Sequence, residues 1–332
     1  MRRAAAIAVA AAIASGGCGG ARRADAPAAP ETITPAERAL AMLPQGAQVV
    51  VELDLARLRG NPVVGEVVTR ALAERTADLP AGVPASPLAA ADLVVLAAYG
   101  VGTAQAATLI ILGAPHDIAD ATKLADGFYA IGPPDWVDQA QQRVAMASTG
   151  ERAFAISAPP ELLELRRRAM PARAPGASLR VTARLSFDAR IALARLTGID
   201  AAPAQLSAWA DVVDDVALIV DCDASDPGSA DARHPSDAPR RLEAALRGAI
   251  AAVSEQPLVR ALGLPSSLAG ARSTTRGSWV RTIIAIGPAH LQRIVRRASA
   301  LLGPGTTGSR DTANPGASTA ATPETVRRRR TP

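Results

Sequence analysis

The feature that most constrains this fold is a pattern used twice: an apolar hairpin, then a helix opened by proline and rich in arginine towards its end. In the first copy Arg143-Val144-Ala145-Met146 turns at Thr149-Gly150 into Ala153-Phe154-Ala155-Ile156. A helix follows from Pro159-Pro160 through Leu162, Leu163 and Leu165 to Arg166-Arg167-Arg168-Ala169. In the second copy residues 271–275 turn near Gly277 into residues 280–286, and a helix runs from Pro288 to Arg296-Arg297-Ala298. Laid over one another, Pro159/Pro288, Leu162/Leu291, Arg167/Arg296, Arg168/Arg297 and Ala169/Ala298 are identical. Proline has no N–H to leave unsatisfied in a first helical turn, and cations suit the negative end of the helix dipole.

Upstream the two copies agree more loosely. Residues 49–55 and 179–185 both read as a strand leading into a helix, and Asp92-Leu93-Val94-Val95-Leu96 corresponds to Asp215-Val216-Ala217-Leu218-Ile219. The strand-like run Thr108-Leu109-Ile110-Ile111-Leu112 has no evident counterpart, a polar loop standing in its place. Hairpins and helices without strict βαβ alternation predict an α+β fold, with antiparallel sheets covered by helices on one face. The expected organisation is two tandem units of antiparallel sheet plus helices, 36–172 and 173–302. Thr34-Pro35-Ala36-Glu37 makes a capping box with proline at the first helical position, and Pro44 ends the helix it starts.

The ends of the chain read differently from the body. Arg2 and Arg3 precede eleven residues (4–14) without a polar side chain, then Ser15-Gly16-Gly17 and Cys18. A charged start, a short apolar stretch and small residues form a secretory signal, here 1–17. A membrane span needs about 20 apolar residues, more than lie between Arg3 and Cys18. The segment resembles the signal of bacterial lipoproteins, in which the cysteine becomes the first mature residue, although Ser15 stands where that family usually has leucine. The resemblance implies lipid attachment at Cys18, hence a membrane partner, and Gly19 after it favours the outer membrane. The alternative is cleavage after Ala14-Ser15-Gly16, which would release an unanchored chain. Residues 18–35 predict a flexible tether and 303–332 a disordered tail, because neither has an apolar period to bury.

Composition excludes some functions. Of the net charge of +5, the signal carries +2 and the tail +3, so residues 36–302 sum to zero. A nucleic-acid partner would call for a basic body or clustered aromatic platforms, and three Trp, two Tyr and three Phe are scattered through the chain. With only Cys18 and Cys222 there is no disulfide framework, and Cys222 reads as a small buried hydrophobe.

Further into the chain, Leu43-Pro44, residues 48–51, Leu53-Asp54-Leu55, Arg57-Leu58-Arg59 and Asn61-Pro62 form an opening of the type LPxxAxVVVxLDLxRLRxxP. It resembles exported proteins of GC-rich Gram-negative bacteria such as myxobacteria. That family has no assigned activity, so the resemblance implies architecture rather than chemistry.

Three places invite an enzymatic reading. Gly100-Val101-Gly102 follows an apolar run like a dinucleotide-binding turn, but only five residues separate it from the next strand, so it predicts a hairpin turn. Asp221-Cys222-Asp223 is similar to the nucleophile motif of haloacid-dehalogenase-type phosphatases. That chemistry needs a cationic side chain and further acidic residues to hold magnesium, whereas Asp226, Asp231 and Asp237 follow at no recognisable metal spacing and Lys123, the sole lysine, precedes the motif. His116, His234 and His290 have no His or Cys at ligand spacing. No metal, cofactor or catalytic residue is therefore assigned. The expected role is non-catalytic binding or structure in the cell envelope, with a protein or cell-wall partner. The alternative is an enzyme or small-ligand receptor with its site in a cleft between the two units.

Overall fold

A computed structural model describes residues 33–74, 85–148, 159–171, 174, 176–197, 202–225 and 237–302. The predicted signal, nearly all of the tether, Cys18, the tail, the strand at 153–156 and His234 lie outside them.

The described residues form an α+β fold of ten strands and eleven helices. The strands are β1 (Val49–Asp54), β2 (Leu93–Tyr99), β3 (Ala107–Gly113), β4 (Thr122–Ala125), β5 (Phe128–Ile131), β6 (Leu179–Arg184), β7 (Gln205–Val212), β8 (Val216–Asp223), β9 (Arg272–Arg276) and β10 (Trp279–Ile286). They make one antiparallel sheet in the order β4-β5-β3-β2-β1-β6-β7-β8-β10-β9. Outward from the central β1–β6 pair, each half runs first strand, second, third, fifth, fourth. Val51 and Val181 face each other at the centre of that pair.

The helices are α1 (Pro35–Met42), α2 (Leu55–Arg59), α3 (Gly65–Glu74), α4 (Ala85–Ala90), α5 (Pro134–Ser148), α6 (Pro160–Arg168), α7 (Phe187–Thr197), α8 (Ala238–Ser254), α9 (Pro257–Leu262), α10 (Pro265–Ala269) and α11 (Pro288–Leu302). The capping box is formed: the Thr34 side chain accepts from the Glu37 N–H at 3.2 Å, and Glu37 accepts from the Thr34 N–H at 3.1 Å.

Side chains alternate across a strand, so the registers assign each residue to a face. What we term the upper face carries Val50, Val95, Ile111 and Phe128 in the first half, packed beneath α1 and α5. Tyr99 stacks on Trp136 of α5, with ring centroids 3.9 Å apart. The lower face is mainly apolar, with Thr108, Ser273, Thr275 and Thr282 among its polar positions. Val94, Ile110 and Leu112 pack with Leu72 of α3 and Leu88 of α4, while Ala208, Leu218 and Ile284 pack with Val259, Leu264, Leu268, Leu291 and Ile294 of the α9–α11 layer.

Several expectations are corrected by this arrangement. Helices cover both faces of a single sheet, not one face of two. Residues 143–146 continue α5 rather than forming a strand, because Val137, Ala140 and Val144 recur at helical spacing on one apolar stripe. The first-half hairpin is instead β4–β5, which turns at Asp126-Gly127 with Gly127 at φ +75°. It ends in Ala130-Ile131-Gly132-Pro133, the same four residues as Ala285-Ile286-Gly287-Pro288 after β10. The helix following that hairpin is α5, so α11 corresponds in order to α5 and not to the helix at Pro159. The second half also has the strand expected to be missing: it is β7, and β8 takes the place of β3 rather than of β2. The 100–102 segment does lie in a hairpin turn between β2 and β3. Gly102, at φ +85°, approaches α7 so closely that a Cβ would meet the Asp188 carbonyl oxygen at 2.7 Å.

Candidate functional site

Polar side chains converge on the upper face where the halves join. Glu52 of β1 stands directly opposite Arg180 of β6, and both point upward. Above them α6 inserts Arg166, whose Nε and Nη2 donate to the two Glu52 carboxylate oxygens at 2.7 and 2.9 Å. Its Nη1 donates to Glu37 of α1 at 3.2 Å. One guanidinium therefore ties α1, β1 and α6 together.

Glu52 and Arg166 are 5% and 6% exposed, so this pair is largely out of water. Burial opposes the charge of Arg166 most strongly, but Glu52 and Glu37 outweigh it and hold its pKa above the ordinary arginine value. Arg180 goes the other way: burial, then the neighbouring Arg166 charge, push its pKa below the ordinary value. Burial acts to raise the Glu37 carboxyl, yet the Thr34 hydrogen bonds and the charges of Arg166 and Arg167 bring it below the usual range.

The LDLxRLRxxP segment supplies a second set of ties. Asp54 caps α2 by accepting from the Arg57 N–H at 2.8 Å. The Arg57 guanidinium crosses to Asp211 of β7, donating at 2.6 and 2.5 Å, and Ser178 donates to the same carboxylate at 2.9 Å. Asp211 in turn raises the Arg57 pKa by its hydrogen bond. Arg59 donates to the carbonyls of Ala89 and Ala91 and to Asp92. Asn61 donates to the carbonyls of Val212 and Val213 at 2.9 and 2.7 Å, while its Oδ1 accepts from the Val63 and Val64 N–H groups. Arg57 and Asn61 thus clamp the first half to the β7–β8 end of the second.

Further out, Asp221 of β8 faces Arg281 of β10, which donates to it at 2.8 and 2.7 Å and to the Arg168 carbonyl at 2.9 Å. Arg168 stacks over Trp279 at 3.6 Å from its ring centroid. Ser207 of β7 accepts from the Ala169 N–H at 3.3 Å. The C-terminal end of α6 is therefore moored to the second half by polar contacts as well as by packing against Trp209 and Ile219.

The described residues among those singled out in the sequence each have a local partner or lie apart. Asp221 is held by Arg281 on an antiparallel strand, and Asp223 accepts from the N–H and hydroxyl of Ser225. Cys222 between them is fully buried, and burial pushes its thiol up to about 12. Asp226 and Asp231 lie outside the described residues. His116 is exposed after β3. The Nε2 of His290 donates to the Gly263 carbonyl at 2.9 Å, and its Nδ1 shares a hydrogen bond with the buried Ser267 hydroxyl at 3.0 Å. This joins α10 to α11. Among the described residues no group of three or more His, Cys, Asp or Glu is arranged to hold a metal, and no helix is long and apolar enough to cross a membrane. At the seam, where a cleft was the alternative expectation, β1 and β6 are hydrogen-bonded neighbours beneath Arg166.

Sequence reasoning missed the Glu52–Arg166 pair. The signal available was Glu52 itself, an ionisable residue set among valines and leucines on a strand destined for the middle of a sheet.

No protein-family profile and no curated protein matches the chain. Among solved structures it is similar to two entitled "Structure of crystal form I of TP0453" and "Structure of crystal form III of TP0453". Sequence identities are 10% and 9% and TM-scores 0.36 and 0.40, each over 79% of this chain and 97% of the other. Neither likeness reaches the level at which a shared fold can be argued.

Proposed function

We propose that this is a cell-envelope protein, exported on residues 1–17 and lipid-anchored at Cys18, whose body has a non-catalytic binding or structural role. The observation that carries the non-catalytic reading is the use made of the charged groups on the upper face. Arg166 is committed to Glu52 and Glu37, Arg57 to Asp211, and Arg281 to Asp221, so these groups hold elements together. The envelope reading rests on the order of cations, apolar run, small residues and cysteine at the start of the chain.

The body arose, in this reading, by tandem duplication of a five-stranded unit. In support, both halves share one strand order, the β1–β6 pair is centred on Val51 and Val181, and Ala-Ile-Gly-Pro ends the fifth strand of each. The helices diverged afterwards: α5 lies on the upper face and α11 on the lower.

Expression of the full chain in a Gram-negative host with labelled palmitate tests the anchor. Label is expected on the wild-type protein and not on Cys18→Ala. A wild-type protein without label, or equal label on both, would refute it.

A further inference from the structure

The charge of the body is zero only as a sum. Residues 237–302 hold ten arginines against Asp237, Glu243 and Glu255, a net of +7. Residues 36–148 hold seven cations against twelve carboxylates, a net of −5. The positive stretch folds mostly into α8–α11, which pack together beneath the second half.

Two arginines of this layer are neutralised locally, Arg247 by Glu243 and Arg260 by Glu255. Arg240 and Arg241 of α8 and Arg293, Arg296 and Arg297 of α11 are exposed and have no ion pair among the described residues. Two large apolar side chains project from the same layer, Leu258 of α9 at 53% exposure and Leu301 of α11 at 56%. The 30 residues after α11 add a further +3 to the sequence at that point.

We propose that the α8–α11 layer is a docking surface for an anionic lipid bilayer. Arginines without counter-ions gain from phosphate headgroups, and each basic side chain brought to such a surface raises partition by about five-fold. Leu258 and Leu301 choose between polyanions: a hydrated soluble polymer offers them nothing, whereas the headgroup boundary accepts apolar side chains. The first half, net negative, gains nothing from such a surface, so the charge asymmetry favours approach through the second half. This surface is independent of acylation at Cys18, so the two readings fail separately.

The test uses the full chain carrying Cys18→Ala, floated with vesicles of phosphatidylcholine alone or mixed with phosphatidylglycerol. Binding is expected only to the anionic vesicles and should fall as salt rises. Arg293→Gln with Arg296→Gln should lower partition on the order of 25-fold, two five-fold losses, and Arg240→Gln with Arg241→Gln similarly. The control is Arg272→Gln with Arg276→Gln, exposed arginines that the β9–β10 register puts on the upper face, which should change little. Equal binding to both vesicle types, an equal loss in the control pair, or capture by soluble polyphosphate without vesicle binding would overturn the proposal.

Discussion

On its upper face the sheet changes character at the β1–β6 pair. On the β2–β5 side, Leu93, Val95, Leu109 and Ile111 are sealed beneath α1 and α5. On the β7–β10 side the equivalent layer presents Ser207, Asp211, Asp221, Asp223 and Arg281, and α6, which lies over it, is moored in part by hydrogen bonds. The lower face is mainly apolar on both sides. On the upper face one strand order therefore supports two ways of attaching helices: dispersion and water exclusion alone in the first half, and packing joined by directional hydrogen bonds in the second. Apolar packing resists through area, whereas a buried ion pair holds strongly only while both partners remain.

The sharpest way to break the comparison is at its boundary. Arg166→Ala leaves Glu52 buried without its partner, and a loss of about 3–5 kcal/mol is expected in urea denaturation. Adding Glu52→Leu and replacing Arg166 by Met extends the apolar mode across the seam and should recover most of that loss. The next effect compares like with like. Ile111→Ala beneath α5 should cost about 2–5 kcal/mol, whereas Ile283→Ala, half-buried on the upper face of β10, should cost about 1 kcal/mol. Equal losses at the two positions would erase the distinction.

A separate test concerns pH. The Cys222 thiol is pushed up to about 12 in the folded protein, against about 8.5 for an unfolded cysteine. An acid whose folded pKa is raised keeps its proton longer when folded, so its contribution is present below the unfolded value. Stability should therefore decline from about pH 8.5 towards about pH 12. The decline should be shallower in Cys222→Ala, read from denaturation midpoints across that range.

Much of the strand set was legible because its runs are continuous and apolar: β2, β3, β8 and β10 could be read from valine, isoleucine and leucine alone. The elements that were not legible are those whose composition conceals their period. In β7, Trp209 interrupts the polar side of Gln205, Ser207 and Asp211, and Ala208 and Ala210 weaken the apolar side, so the alternation is faint. In β4, Thr122 and Lys123 are exposed and the strand is only four residues long. The C-terminal half of α5 imitates a strand because Val144 and Met146 alternate with small or polar residues. The polar seam was hidden for another reason: Arg166 meets Glu52 across 114 positions and Arg57 meets Asp211 across 154. Local pattern carries no information about such partners, although an isolated Glu52 in a hydrophobic strand does announce that one must exist.

The β1–β6 ladder also governs the order in which this chain can fold. Val51 and Val181 are 130 positions apart, and no other ladder among the described residues joins positions so distant. Within each half the strands close over shorter loops, so those ladders should form first and the central pair last. Until it closes, β1 and β6 are open, complementary edges. Closure within one chain completes the monomer. Closure between two chains gives the same ladder twice in an exchanged dimer, so concentration during refolding should decide between them.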